Sequence, residues 1–130
     1  MNAFRAACWR WTFRAKGLWN CGASVAFLLF DDSLRDRLGV PRPDSLYRAL
    51  FLALAFVFGL GYWWVGRDLD KNLDIVRMGI LGQFSVFGLT LYAVTLARPS
   101  LPWPFLLPGL VDLVFAIAFV GFLWVSPRRL

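Results

Sequence analysis

The 130-residue sequence contains no histidine and no glutamate. The absence of histidine excludes His-ligated haem or chlorophyll, a His-containing zinc site, and the Ser-His and Cys-His catalytic pairs. All eight acidic residues are aspartates, and the only cysteines, Cys8 and Cys21, are too far apart for a Cys-x-x-Cys redox pair. Most of the side chains that perform catalysis are therefore missing, and the sequence predicts no catalytic residue, no metal site and no resident cofactor.

Charged residues are also scarce, at 17% of the sequence, whereas 59% of the residues are hydrophobic and 18% are aromatic. A soluble domain typically has about a quarter charged residues and less than half apolar ones. The apolar residues form long blocks separated by short charged stretches. This composition predicts a single domain, residues 1–130, that is an all-α integral membrane protein.

Three apolar blocks, at about 47–66, 78–97 and 101–125, are long enough to cross a bilayer as helices. A fourth block, 17–30, would cover only about 21 Å at 1.5 Å per residue. We predict that this block is a short or tilted crossing, and a re-entrant or interfacial segment is the alternative. The predicted fold is thus an up-down bundle of four transmembrane helices, preceded by a basic interfacial segment.

That interfacial segment, residues 1–16, contains no acidic residue. Its apolar side chains recur at helical spacing and its basic side chains lie off that stripe, which is typical of a helix in the headgroup layer of anionic lipids. The alternative is that these charges only orient the chain in the membrane. The predicted headgroup contacts are Arg5, Arg10, Arg14 and Lys16.

The distribution of basic residues predicts the orientation. Four crossings place nine of the 14 Lys and Arg residues on the side that holds both termini, and five on the other side. The positive-inside rule then predicts cytoplasmic termini, in what we take to be a bacterial cytoplasmic membrane. Because the basic residues are spread over both membrane faces, no nucleic-acid partner is expected.

Asp112 is the only acidic residue within an apolar block. A carboxylate inside a membrane is costly unless it is neutralised or paired, so such residues often have a function. If the last helix begins at Ser100, Asp112 lies near the middle of the membrane. If it begins at Pro108, Asp112 lies in the first turn, where the helix dipole favours an acid. Three roles remain open: a helix-start residue, an ion- or proton-coupling group, and an interhelical hydrogen bond.

The third and fourth helices are expected to form an antiparallel hairpin that turns near residues 98–100. This geometry predicts which of their polar residues lie at the same depth. Asp112 would then lie level with residues 88–90, which makes Thr90 its best polar partner. Gln83 would lie level with Asn20 of the first helix, and the two amides would form an interhelical hydrogen bond.

Small residues on two helices predict close helix packing, because they let helix backbones approach each other in lipid. On the third helix the small or polar stripe comprises Gly79, Gln83, Val86, Thr90, Ala93 and Ala97. On the second helix the small residues are Ala49, Ala53, Ala55, Gly59 and Gly61.

A family resemblance covers roughly residues 47–122. The chain resembles the small four-helix bacterial membrane proteins of the DoxX-like type. This resemblance implies a role in quinone-dependent sulfur oxidation or as an accessory subunit, and it implies no catalytic residue. The residues that carry it are Gly59-Leu60-Gly61-Tyr62, Arg67-Asp68, Ile75-Val76, Gly79, Gly82 and Asp112-x-x-Phe115-Ala116.

Three functional classes are compatible with the sequence. The first, which the lack of catalytic groups favours, is an accessory or assembly subunit that docks with other membrane subunits through small-residue and aromatic helix faces. The second is a small oligomeric transporter or channel in which Asp112 couples an ion or a proton. The third is an enzyme subunit that handles a quinone or a lipid in an aromatic-lined pocket.

Overall fold

The computed structural model of the protein describes residues 2–97 and 101–126, and these residues form helices joined by short loops, with no strand among them. The predicted turn at residues 98–100 and the basic residues Arg98, Arg128 and Arg129 lie outside the described residues. The helices are α1 (Ala3–Leu38), α2 (Ser45–Arg67), α3 (Leu73–Tyr92, continued by a π-helical turn, Ala93–Ala97) and α4 (Leu107–Val125, preceded by a 3-10 turn, Trp103–Leu106).

Three helical segments are long and apolar enough to cross a bilayer: Ser45–Arg67, Leu73–Ala97 and Trp103–Val125. The prediction of an all-α chain with apolar helices of membrane-spanning length is thereby confirmed for the blocks at 47–66, 78–97 and 101–125. α1 is not among these segments, because basic residues precede its apolar block and Asp31 and Asp32 follow it.

α1 is one continuous helix of 36 residues, although the sequence predicted an interfacial segment and a separate crossing that meet at residues 16 and 17. The backbone N–H of Arg5 donates to Asn2 Oδ1 at 2.9 Å, which caps the start of the helix. No proline occurs before Pro41, and Gly39 ends the helix with a φ of 64°. Nothing in the intervening sequence interrupts the helix, so the change from basic to apolar residues produces no break.

The chain divides into two compact units, which are described separately. The first unit, Cys8–Asn72, holds most of α1 together with α2. The two helices are antiparallel: Gly17 of α1 contacts Gly59 of α2, and Asp32 near the end of α1 binds Arg48 near the start of α2. A short loop connects them, and Asp44 caps α2 by accepting hydrogen bonds from two backbone N–H groups.

The second unit comprises the described parts of Met1–Ala7 and Leu73–Leu130, with α3 packed on α4. Gly109 of α4 lies against Phe87 and Thr90 of α3: a methyl group at Gly109 would be 3.2 Å from Thr90 Cβ and 3.3 Å from Phe87 Cα. The buried residues of α4 recur at intervals of three and seven on one face of the helix. They are Gly109, Ala116, Phe119 and Phe122.

The start of α4 decides between the two predicted positions of Asp112. Pro102 is extended, a 3-10 turn follows, and the α-helix begins at Leu107 with Pro108 in its first turn. A proline is tolerated there because its missing N–H would have no intrahelical partner. The helix thus begins one residue before Pro108, close to the second of the two predicted starts, and Asp112 is its sixth residue, in the second turn.

Candidate functional site

Glycines bring the backbones of α1 and α2 into direct contact. A methyl group at Gly17 would lie 2.8 Å from the carbonyl oxygen of Gly59. A methyl group at Gly59 would lie 2.9 Å from the Gly17 oxygen and 2.7 Å from Cys21 Sγ. The two distances to backbone oxygens are too short for a carbon atom, so only glycine fits at this crossing. The predicted close-packing role is therefore confirmed for Gly59, and Gly17 is a partner that the sequence analysis did not identify.

Two side chains of α1 form hydrogen bonds with the backbone of α2 one turn from the glycine contact. Asn20 Nδ2 donates to the carbonyl oxygen of Ala55 at 3.3 Å, and the thiol of Cys21 donates to that of Phe56 at 3.7 Å. Such bonds tie helices together in an apolar environment. The predicted hydrogen bond between Asn20 and Gln83 concerns residues of different units and stays a prediction.

A charge cluster joins the other end of α1 to the start of α2. Arg35 Nε donates to Asp31 Oδ2 at 2.7 Å, and Arg48 Nη1 lies 3.5 Å from the same oxygen. Arg48 also donates to both carboxylate oxygens of Asp32. The side chain of Asp31 is only 4% exposed, so this carboxylate is buried within the charge cluster. The sequence could have predicted the Asp31–Arg35 pair, because residues four apart are neighbours on a helix surface.

Because of the charge cluster, the stability of the folded protein should depend on pH in the acidic range. The hydrogen bond from Arg48, together with its charge and those of Arg42 and Arg35, holds the pKa of Asp32 below its ordinary value of 3.8. A lowered pKa in the folded state stabilises the fold above pH 3.8, and this stabilisation is lost as the pH falls below that value.

We therefore expect the unfolding midpoint in detergent to fall as the pH is lowered from 5 toward 3. Arg48→Gln should lower the midpoint at pH 7 and make the acid dependence shallower. Arg77→Gln is the matched control, because Arg77 pairs with Asp74 at 2.6 Å but both side chains are exposed, and exposed pairs contribute little. Equal acid dependence in the parent and Arg48→Gln would contradict the assignment.

The four predicted headgroup contacts differ in their surroundings. Arg5 and Arg10 are exposed. Arg14 is half-buried beside two indole rings, whereas the side chain of Lys16 is fully buried. Lys16 lies on the same face of α1 as Phe13, which is also fully buried. Contact of these four side chains with lipid headgroups stays a prediction.

Thr90 of α3 lies where that helix packs against α4. It is beside Gly109, and its hydroxyl donates to the Val86 carbonyl oxygen at 2.6 Å. Asp112 is half-buried and lies one turn along α4 from Gly109, on the face that carries Ala116. The predicted pairing of Asp112 with Thr90 stays a prediction.

α3 has two faces of small residues. The predicted stripe is the less exposed face: Gly79 and Gln83 are buried, and only its last member, Ala97, is exposed. Gly82, which borders that stripe, and Gly88, on the far side of the helix, are both exposed, and a methyl group at either would meet no atom within 4 Å. The exposed residues that lie between them around the helix are Met78, Leu81, Ser85, Leu89 and Tyr92.

Comparisons of this chain with known protein families, with curated proteins and with solved structures found no match. The resemblance to DoxX-like proteins therefore stays a prediction.

Proposed function

We propose that this chain is an integral protein of a bacterial cytoplasmic membrane that acts as a non-catalytic accessory or assembly subunit of a larger membrane complex. Its docking surface is the exposed face of α3 centred on Gly82, Ser85 and Gly88, which we term the open face. Its partner is a transmembrane helix of a different subunit. Anionic lipids surround the assembly.

The open face is the observation that carries this proposal. Small residues on one side of an apolar helix let a second helix approach closely, and van der Waals packing over that contact drives association in lipid. Beside Gly17 and Gly59 the backbone of a neighbouring helix fills the space that a side chain would take. The space next to Gly82 and Gly88 is open. Leu81 and Leu89 flank the small residues and supply apolar contact area for a partner.

We further propose that α1 is the fourth crossing. α1 lies antiparallel to α2 from Arg14, which packs on Gly66, to Asp32, which binds Arg48. The interval from Arg14 to Asp32 is about 27 Å at 1.5 Å per residue, close to the thickness of the hydrocarbon core. A helix that accompanies α2 over this length crosses wherever α2 crosses, and both termini then lie on the cytoplasmic side.

The proposal predicts that filling the open face releases the partner. Membranes that carry the tagged parent chain are solubilised in a mild detergent, and the purified assembly is weighed by native mass spectrometry. We expect an unlike subunit with the parent chain and roughly tenfold less of it with Gly82→Leu, which corresponds to about 1.4 kcal/mol.

Gly22→Leu is the matched control, because Gly22 is also an exposed helical glycine at which an added methyl group would meet no atom within 4 Å. The control should retain the partner. Both variants must elute as monodisperse species, which shows that the chain itself is folded. Recovery of only the chain itself would refute the accessory-subunit proposal, and equal recovery of the partner with both variants would refute the open face as the docking surface.

A second candidate is a small oligomeric transporter or channel. The position of Asp112 favours it, because the residue lies on the face of α4 that carries the buried Gly109 and Ala116 and not on the exposed face that carries Val114. An inward carboxylate within an apolar helix is a typical coupling group. A homo-oligomer in the same mass measurement would favour this candidate over the first.

A further inference from the structure

Arg14 lies between two indole rings in the unit that holds α1 and α2. Its guanidinium carbon is 5.4 Å from the ring centroid of Trp11, one turn earlier on α1, and 5.8 Å from that of Trp63 on α2. Both distances are within the range of a cation–π interaction. Contacts with both rings therefore restrict where the cation can lie.

The positive charge of Arg14 has no acceptor in the described part of the chain. Arg14 makes no hydrogen bond and no ion pair there, and its Nε is buried without a partner. The two terminal nitrogens are not enclosed, since the residue is only half-buried. Asp68, an acidic residue at the same end of the two helices, is already held by Lys71 at 3.1 Å. A guanidinium that is partly desolvated and unpaired favours an external anion.

The contacts of Arg14 also give its depth. Its Cγ would lie 3.1 Å from a methyl group at Gly66, the second-last residue of α2. Because α2 has the length and composition of a membrane span, its last residues lie near the headgroups. Trp63, one turn earlier, then occupies the interfacial layer in which indole rings are enriched. The unpaired nitrogens of Arg14 are therefore at the level of lipid phosphates.

We propose that Arg14, held between Trp11 and Trp63, is a binding site for the phosphate of one anionic lipid headgroup. The planar guanidinium donates two parallel hydrogen bonds to phosphate oxygens, a geometry that lysine cannot reproduce. The indoles lie beside the glycerol region, and exposed Arg10 adds positive charge nearby. This site rests on the proposed membrane location but does not require a partner subunit.

Native mass spectrometry of the purified full-length protein tests the site. The protein in neutral detergent is titrated with phosphatidylglycerol, with phosphatidylcholine, and with inorganic phosphate. We expect one phosphatidylglycerol to bind in preference to phosphatidylcholine. Arg14→Gln should weaken that binding about tenfold, and Arg14→Lys should weaken it less. Arg37→Gln removes the same charge from an exposed position of α1 outside the predicted headgroup contacts and should leave the binding unchanged.

Three results would overturn the proposal. One is equal retention of phosphatidylglycerol by Arg14→Gln and the parent. The second is an equal loss with Arg37→Gln, which would show that only net charge matters. The third is displacement of the lipid by an equal concentration of inorganic phosphate, which would assign the site to a free anion.

Trp63→Leu should weaken binding while the protein stays monodisperse, which guards against a folding defect of the Arg14 variants. A failure to find a partner subunit would leave all these results unaffected.

Discussion

Gly17→Leu should be among the most destabilising single substitutions in this chain. Even the first carbon of the new side chain would lie 2.8 Å from the Gly59 carbonyl oxygen, and that oxygen belongs to helix backbone that cannot rotate away. The helices must separate, so the neighbouring hydrogen bond from Asn20 to Ala55 is lost as well. We expect a loss of about 3 kcal/mol in the free energy of unfolding, near the upper end for overpacked sites.

Reversible unfolding in mixed micelles, followed by the loss of helical signal, measures this effect. Gly17→Ala should already be destabilising, because the clash involves the first carbon alone. Gly22→Leu, five residues along the same helix, is the control and should change the free energy of unfolding by no more than about 0.5 kcal/mol, since that position is open. If Gly17→Leu and Gly22→Leu unfold alike, the close crossing at Gly59 is incorrect.

The sequence predicted the number and approximate bounds of the long apolar helices because a span needs about 20 apolar residues, and few other folds tolerate such blocks. It also predicted a packing role for Gly59. It could not identify Gly17 as the partner, since two small residues on separate helices reveal a contact only once the register of the helix pair is known.

Register also limits what the sequence can say about polar pairs. A hairpin without a defined turn leaves an uncertainty of about one helical turn in which residues lie level. Thr90 lies beside Gly109, and its pairing with Asp112, three residues further along α4, stays a prediction. For residues 1–16, hydrophobic periodicity placed Arg5, Arg10, Arg14 and Lys16 off the apolar stripe. It could not show that the buried residues of α1 include Lys16 and Asp31, because contacts beyond the helix's own sequence decide which side is covered.

α1 is expected to cross the membrane, so that a thiol at either end of it should be labelled from one side of the membrane only. Cys8 is a native, exposed thiol near the start of α1, and the loop residue Pro43 lies beyond the other end of that helix. If α1 accompanies α2 across the bilayer, these positions face opposite compartments. Cys8 should react with a membrane-impermeant maleimide only from the cytoplasmic side, and Pro43→Cys in a Cys8→Ser background only from the outside.

Labelling of right-side-out and inside-out vesicles gives the answer. Cys8→Ser alone is the control: it retains Cys21, whose thiol donates to the Phe56 carbonyl oxygen within the α1–α2 contact, and it should remain unlabelled. Lys71→Cys in the Cys8→Ser background, in the loop between α2 and α3, should react from the same side as Cys8. Labelling of Cys8 and Pro43→Cys from one side would mean that α1 does not cross, and the paired arrangement of α1 and α2 would then be wrong as well. Reversed sidedness of all three positions would preserve the four crossings but place the termini outside, against the charge distribution of the loops.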